Sequence, residues 1–177
     1  MRIISGKFKR RTISPPANLP VRPTTDMAKE SLFNILGNYF DFEDKTVLDL
    51  FAGTGNISYE FVSRGCNDVT AVDNDFGCIK FINQTGEKLQ MPELNTVKLD
   101  VFRFISTTKN KYDIIFADPP YTLTNIADIS KLIFENQLLN NDGWLIVEHP
   151  AEISFAESLH FYEHRKYGRV NFSFFHI

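Results

Sequence analysis

The residues with the most chemical promise lie in Lys111-Tyr112-Asp113-Ile114-Ile115-Phe116-Ala117-Asp118-Pro119-Pro120-Tyr121. Ile114 to Ala117 is an uninterrupted apolar run, the mark of a strand buried on both faces. It stops at a carboxylate, two prolines and an aromatic ring. Each proline fixes its own φ and pushes the preceding residue towards extended backbone. Asp118 and Tyr121 are therefore expected on a short, stiff loop at the carboxyl end of a buried strand, where open α/β sheets bind ligands. Tyr121 offers a face for stacking. Asp118 and the carbonyls around Pro119 and Pro120 offer acceptors to an exocyclic amine. Such an amine is a weak nucleophile, because its lone pair is delocalised into the ring. Acceptors that favour pyramidal nitrogen and absorb its developing positive charge would speed attack on a methyl donor. Acid–base help from Asp118 matters mainly after transfer, when the nitrogen proton has become acidic. An ionised Asp only accepts hydrogen bonds, so it matches the adjacent N1–H and N2–H donors of guanine. Adenine and cytosine pair an amine with a ring acceptor, which an Asn amide fits better. Alternatively, Asp-Pro-Pro merely terminates a strand in a tight turn.

Two earlier stretches would position a ligand for this corner. Thr46-Val47-Leu48-Asp49-Leu50 reads as the first core strand, followed by Phe51-Ala52-Gly53-Thr54-Gly55 and a helical pattern from Ile57 to Arg64. Strand, glycine loop and helix let the backbone approach a ligand and supply free N–H groups. Asp68 to Asp73 is a second strand, and Asp73 lies 18 residues after Gly55. That is close to the offset at which such folds place a carboxylate on ribose hydroxyls. Thr96 to Leu99 is a third strand, ended by Asp100. Asp73, Asp100 and Asp118 are thus expected at one sheet edge, facing a shared crevice.

The remaining chain supplies scaffold. Arg2 to Ile13 reads as two short strands about Ser5-Gly6-Lys7, with Ile3, Ile4, Phe8 and Ile13 apolar and the basic residues opposite. Pro15-Pro16 to Pro20 is an extended linker. Thr24 or Thr25 caps a helix carrying Ala28, Leu32, Ile35, Leu36 and Tyr39, with Asp26 in its first turn and Gly37 near its end. Helices are predicted over Asn74–Lys88 and Ile126–Leu139. Asn140 to Gly143 reads as a turn, Trp144 to Val147 as a fifth strand closed by Glu148-His149-Pro150. Leu159–His164 and Val170–His176 form a hairpin, with Val170, Phe172 and Phe174 on one face. His149, His160, His164 and His176 lack ligand spacing and read as surface or turn residues.

At 177 residues and 43% hydrophobic composition, one domain with a real core is expected. Cys66 and Cys78 have no metal-ligand spacing and suit a reduced, cytoplasmic protein, with no metal site. No apolar run approaches the roughly 18 residues of a membrane span, and no signal peptide is visible. Residues 1–30 carry seven basic side chains (Arg2, Lys7, Lys9, Arg10, Arg11, Arg22, Lys29) against Asp26 and Glu30, a balance of +5. The rest carries −8 in a chain whose net charge is −3. A basic arm on an acidic body points to a polyanion reached through the arm, or simply to a solvated terminus.

Asp49 to Gly55 resembles the first motif of class I S-adenosylmethionine-dependent methyltransferases. Asp118-Pro119-Pro120-Tyr121 resembles the (D/N)PP(Y/F) motif of those that methylate planar amines. With Arg2 to Lys7, Arg22 to Asp26 and Glu30 to Asn34, the chain resembles the RsmD family, which methylates N2 of guanine 966 in bacterial 16S ribosomal RNA. One departure is Met27, where family members usually carry a basic residue. The resemblance implies an α/β, Rossmann-like sheet of seven mostly parallel strands with a C-terminal antiparallel hairpin, helices on both faces and an N-terminal β-hairpin arm. Residues 1–23 would be the basic arm and linker, and 24–177 the methyltransferase domain. It implies S-adenosylmethionine held by Asp49, Phe51, Gly53, Gly55, Asp73, Asn74, Asp100 and Val101, and a base held by Asp118, Pro119, Pro120 and Tyr121. Asn83 would be structural. The implied partner is 16S rRNA of the small subunit, gripped at its phosphates by Lys7, Lys9, Arg10, Arg11 and Arg22. A monomer is expected.

Three rivals stand beside this expectation. A methyltransferase acting on adenine N6 or a protein glutamine would prefer Asn at position 118. A non-catalytic RNA-binding assembly factor would keep the pocket without the chemistry. A nicotinamide dehydrogenase has no use for Asp-Pro-Pro-Tyr, and Ser58 stands where its third glycine would be.

Overall fold

Strand β1 (Thr46–Leu50) lies between two parallel neighbours, β2 (Asp68–Asp73) and β4 (Tyr112–Ala117). The computed structural model describes residues 1–19 and 25–177. Beyond β2 lies β3 (Leu94–Lys98), and beyond β4 lies β5 (Leu139–His149), both parallel. Strands β6 (Phe161–Tyr167) and β7 (Val170–His176) complete the sheet antiparallel, with β7 against β5. The order β3-β2-β1-β4-β5-β7-β6 reverses direction between β1 and β4. Connections leave such a switch point in opposite directions and open a crevice above its carboxyl ends. The sheet is the expected mostly parallel α/β architecture of class I methyltransferases.

Apolar alternation explains how the sheet is sandwiched. Ile114 and Phe116 of β4 join one core with α1 (Asp26–Leu36), α2 (Asn56–Ser63) and Ile82 of α3 (Phe76–Leu89). Ile115 and Ala117 point into the other, with α4 (Val101–Thr107) and α5 (Asp128–Glu135). Ile114, Ile115 and Phe116 are fully buried, each worth about 1.5–3 kcal/mol over exposure. Strand β7 is also buried on both faces, so Phe175 faces α5 while Phe172 and Phe174 face the α1 side. Among the described residues no helix is long and apolar enough to cross a membrane.

Some boundaries differ from expectation. The turn signals of Asn140 to Gly143 lie within β5, where a register irregularity opposite Tyr112 and Ile114 absorbs them; Asp142 takes φ 61° there. Asp100 ends no strand; it lies beyond β3 and caps α4, accepting the Arg103 N–H at 3.0 Å. His149 is not a surface residue. It is 1% exposed, with Nε2 2.8 Å from the Ser173 hydroxyl and Nδ1 2.9 Å from the Pro150 carbonyl. Burial holds its imidazole below the ordinary histidine value, favouring the neutral form.

The N-terminal fold-back is present but reduced. Arg2 and Thr12 form one antiparallel bridge, flanked by Ile3 N–H to Arg11 O and Ile13 N–H to Met1 O, both 3.0 Å. The turn spans 4–10 rather than closing tightly at Ser5-Gly6-Lys7. Ile3 and Ile13 are buried in the body, so the segment is docked and not a projecting arm. Thr25 caps α1, its hydroxyl accepting the Ala28 N–H at 3.2 Å. Pro20, Arg22, Pro23 and Thr24, with the expected boundary at 23/24, lie outside the described residues.

Candidate active site

The glycine loop, 51–55, turns the chain from β1 into α2. Phe51, Gly53 and Gly55 all have left-handed φ, at 60°, 55° and 79°. At Gly55 the requirement is double, because an added Cβ would sit 2.8 Å from the Tyr59 ring. Asp73, at the end of β2, fixes the loop from the neighbouring strand. Its Oδ2 accepts the Gly53 N–H and its Oδ1 the Asp75 N–H, each at 2.8 Å. The carboxylate is only half-buried, and its remaining lone pairs can still take hydroxyl donors. Gly55 gives α2 no side-chain cap, which leaves a positive helix end at the crevice.

Asp49 is 2% exposed and accepts the Ser58 hydroxyl at 2.5 Å, linking β1 to α2 beneath the loop. Burial pushes its carboxyl up to about 7. Phe51 is half-buried, its ring edge-on to Phe102 at 6.5 Å. Asn74 and Asp100 are exposed, and Val101 is buried at the start of α4. Asn83, on α3, accepts the Thr96 hydroxyl at 2.8 Å, a bond that ties helix to strand.

The Asp118 corner stands directly beside this loop. Leu50 and Ala117 are register partners, and the Asp118 N–H donates to Leu50 O at 3.3 Å. Asp118 is half-buried, Pro119 buried and Pro120 exposed. The Pro120 carbonyl accepts the Leu123 N–H at 2.8 Å, so it serves the loop's own turn as well as any ligand. Tyr121 is 49% exposed. Its hydroxyl donates to Glu148 Oε1 at 3.2 Å. Glu148, near the end of β5, was legible only as a strand terminus. Burial pushes its carboxyl up to about 7, against the Tyr121 bond, which lowers it.

The arrangement is two-sided: the glycine loop and the Asp73 carboxylate on one side, the Asp118 carboxylate and the Tyr121 ring on the other. A profile of the family described as Conserved hypothetical protein 95 matches residues 1–176. The chain belongs to that family, the RsmD family. YlbH of Bacillus subtilis (strain 168) is 36% identical over 163 residues, covering 90% of this chain and 88% of YlbH. Ribosomal RNA small subunit methyltransferase D of Escherichia coli (strain K12) is 28% identical, covering 86% of this chain and 76% of its own length. The solved structure of yhhF from Escherichia coli superposes with a TM-score of 0.85 at 25% identity, covering 99% of this chain and 97% of yhhF.

This RsmD-family chain carries its basic tip on a buried ion network that sequence reading missed. Lys7, Lys9, Arg10 and Arg11 are all exposed on the 4–11 segment. Beneath them Glu60 of α2, fully buried, accepts the Ile4 and Ser5 N–H groups at 2.8 and 3.0 Å. It also pairs with Arg64 Nε at 2.9 Å and Lys29 Nζ at 3.4 Å. Lys29, counted above with the basic arm, is fully buried on α1; it donates to Arg2 O at 2.6 Å and Asn56 Oδ1 at 2.8 Å. Burial holds its ammonium below the ordinary lysine value, although Glu60 acts in the opposite direction. Ser63 completes the dock, its carbonyl accepting Lys7 N–H at 2.7 Å and its hydroxyl Phe8 N–H at 3.0 Å. One ammonium thereby joins α1, the first residue of α2 and the basic segment.

Proposed function

We propose that this protein methylates the exocyclic N2 of a guanine in 16S rRNA of the small ribosomal subunit, with S-adenosylmethionine as donor. The observation that carries the proposal is the adjacency of Asp118 and the glycine loop, stitched by the Asp118–Leu50 backbone bond. The Escherichia coli relative, named a ribosomal RNA small subunit methyltransferase, supports the same reading.

The residues present fit the donor. Gly53 and Gly55 present bare backbone at two left-handed positions of the loop, the uncapped α2 end suits a carboxylate, and Asp73 has acceptors left for ribose hydroxyls. Asp100 and Val101 border the same edge. When bound, S-adenosylmethionine supplies an electrophilic methyl group on a sulfonium. The chain's own residues do the rest. Tyr121 stacks the flipped-out base, offsetting an extrusion that costs a few kcal/mol. Asp118 accepts from N1–H and N2–H, which selects guanine and orients the amine lone pair. Holding both reactants in line is worth about 7–11 kcal/mol. The charge left on the methylated nitrogen is relieved by loss of its proton to Asp118 or, through it, to water. Lys7, Lys9, Arg10 and Arg11, together with Arg22, grip phosphates without reading sequence.

The test uses small subunits from a strain lacking the enzyme, incubated with purified protein and labelled donor. Mass spectrometry of the digested rRNA should find N2-methylguanosine at one position, guanine 966 on the family resemblance. Label on adenine, or no label at all, would overturn the proposal.

A further inference from the structure

Tyr121 stands on the loop that follows β4, and Glu148 lies in β5. Glu148 is 6% exposed, yet it lies at the carboxyl end of β5, the edge that carries the crevice. One carboxylate oxygen accepts the Tyr121 hydroxyl at 3.2 Å. The other is buried with no hydrogen-bond partner among the described residues. Opposite it on β7 stands Phe172, which offers nothing polar from its side chain. A carboxyl group kept in such surroundings is costly, since buried polar groups are ordinarily satisfied. The sheet would tolerate an apolar residue here at less cost. Among the described residues the one hydrogen bond of this carboxyl goes to the ring proposed to hold the base.

We infer that Glu148 is a positioning residue, which fixes the Tyr121 ring by its hydroxyl and so orients the stacking face before the base arrives. This rests on the proposed function. A half-exposed tyrosine turns about two side-chain bonds. Pinning its tip removes that freedom in advance, which improves binding without any new contact to the ligand. Glu148 acts through Tyr121, so the two residues form one unit.

The experiment compares wild type, Tyr121→Phe, Glu148→Ala, Glu148→Gln and the double Tyr121→Phe/Glu148→Ala on undermethylated small subunits at pH 8. Each of the first two single variants should raise KM for the subunit about tenfold, the factor that one hydrogen bond to a charged group is worth. The double variant should be no worse than either single, because both remove the same bond. Glu148→Gln, whose amide oxygen can accept the same hydroxyl, should recover most of the loss. Losses that multiply in the double variant would overturn the inference, as would a Gln variant as poor as Ala, or a Tyr121→Phe variant indistinguishable from wild type. Tyr121 is half-exposed, so its loss of hydroxyl tests the idea even if Glu148→Ala does not fold. An inactive wild type sinks the proposed function instead, which keeps the two failures apart.

Discussion

Replacing Glu60 with alanine should be the most damaging single change on the α2 face. The carboxylate receives four groups: the Ile4 and Ser5 amides, Arg64 and Lys29. Without it, Lys29 remains fully buried with Arg2 O and Asn56 Oδ1 as its recorded acceptors. Breaking a buried pair from one side costs about 3–5 kcal/mol, and each orphaned amide adds up to about 1–3 kcal/mol where water cannot reach it. Taking ~4 kcal/mol as the net, and about 2–4 °C per kcal/mol for a domain of this size, Tm should fall by ~8–16 °C. Urea and thermal unfolding measure this directly. The double variant Lys29→Met/Glu60→Leu should lose less than Glu60→Ala, because it leaves no lone charge. The deficit of Glu60→Ala should also shrink as pH rises towards the unfolded lysine value, since a buried Lys29 with a depressed value gives up its proton first. Trypsin should then cut at Lys7, Lys9, Arg10 or Arg11 well before global unfolding. A Tm loss below about 3 °C, or a tip still protected, would refute the view of Glu60 as the dock of the basic segment.

Asp118→Ala should abolish turnover and leave donor affinity, read by calorimetry, within a few-fold; full activity would remove Asp118 from the mechanism. Asp49 holds its proton up to about 7 in the folded chain, against 3.8 for the ordinary group. Its contribution to stability is therefore fully present below 3.8, falls as pH rises to about 7 and is flat above. The stability difference between wild type and Asp49→Asn should follow that course between pH 4 and 8, and a flat difference would contradict it. Gly55→Ala combines a left-handed φ with a Cβ 2.8 Å from the Tyr59 ring, and the backbone term alone is about 1–2 kcal/mol. Its Tm should drop by several degrees and donor binding should weaken; an unperturbed variant would show that the loop can relax. Neutralising Lys9, Arg10 and Arg11 to Gln should weaken rRNA binding and flatten its salt dependence by up to about three phosphate contacts. An unchanged slope would place the grip elsewhere.

The crevice was legible because its signals are local. Four apolar residues in a row, Ile114 to Ala117, imply burial on both faces, and the structure divides them alternately between two cores. The Gly-x-Gly turn and an acid at the offset of Asp73 likewise depend on a few neighbouring residues. What escaped depends on pairing across the chain. Lys29 and Glu60 look like surface charges until α1 and α2 pack together and close water out. Glu148 gains its role only from the way the Asp118 loop brings Tyr121 over β5. His149, without ligand spacing to the other histidines, reads as a surface or turn residue, whereas β7 covers it and Ser173 binds it. Asn140 to Gly143 carries strong turn residues, yet ladder pairing of Leu139 with Tyr112 extends β5 through it. There tertiary hydrogen bonding outweighed local propensity.

The clasp that Asp73 makes on the Gly53 and Asp75 amides also bears on turnover. It joins the lips behind β1 and β2 with protein groups alone, so the proposed berth for the nucleoside would keep its shape between visits. Spent donor can leave and fresh donor can enter without the lips having to fold anew each time. On the proposed function, the slow step of a cycle would then belong to the large, jointed RNA and its extruded base, not to exchange of the small molecule.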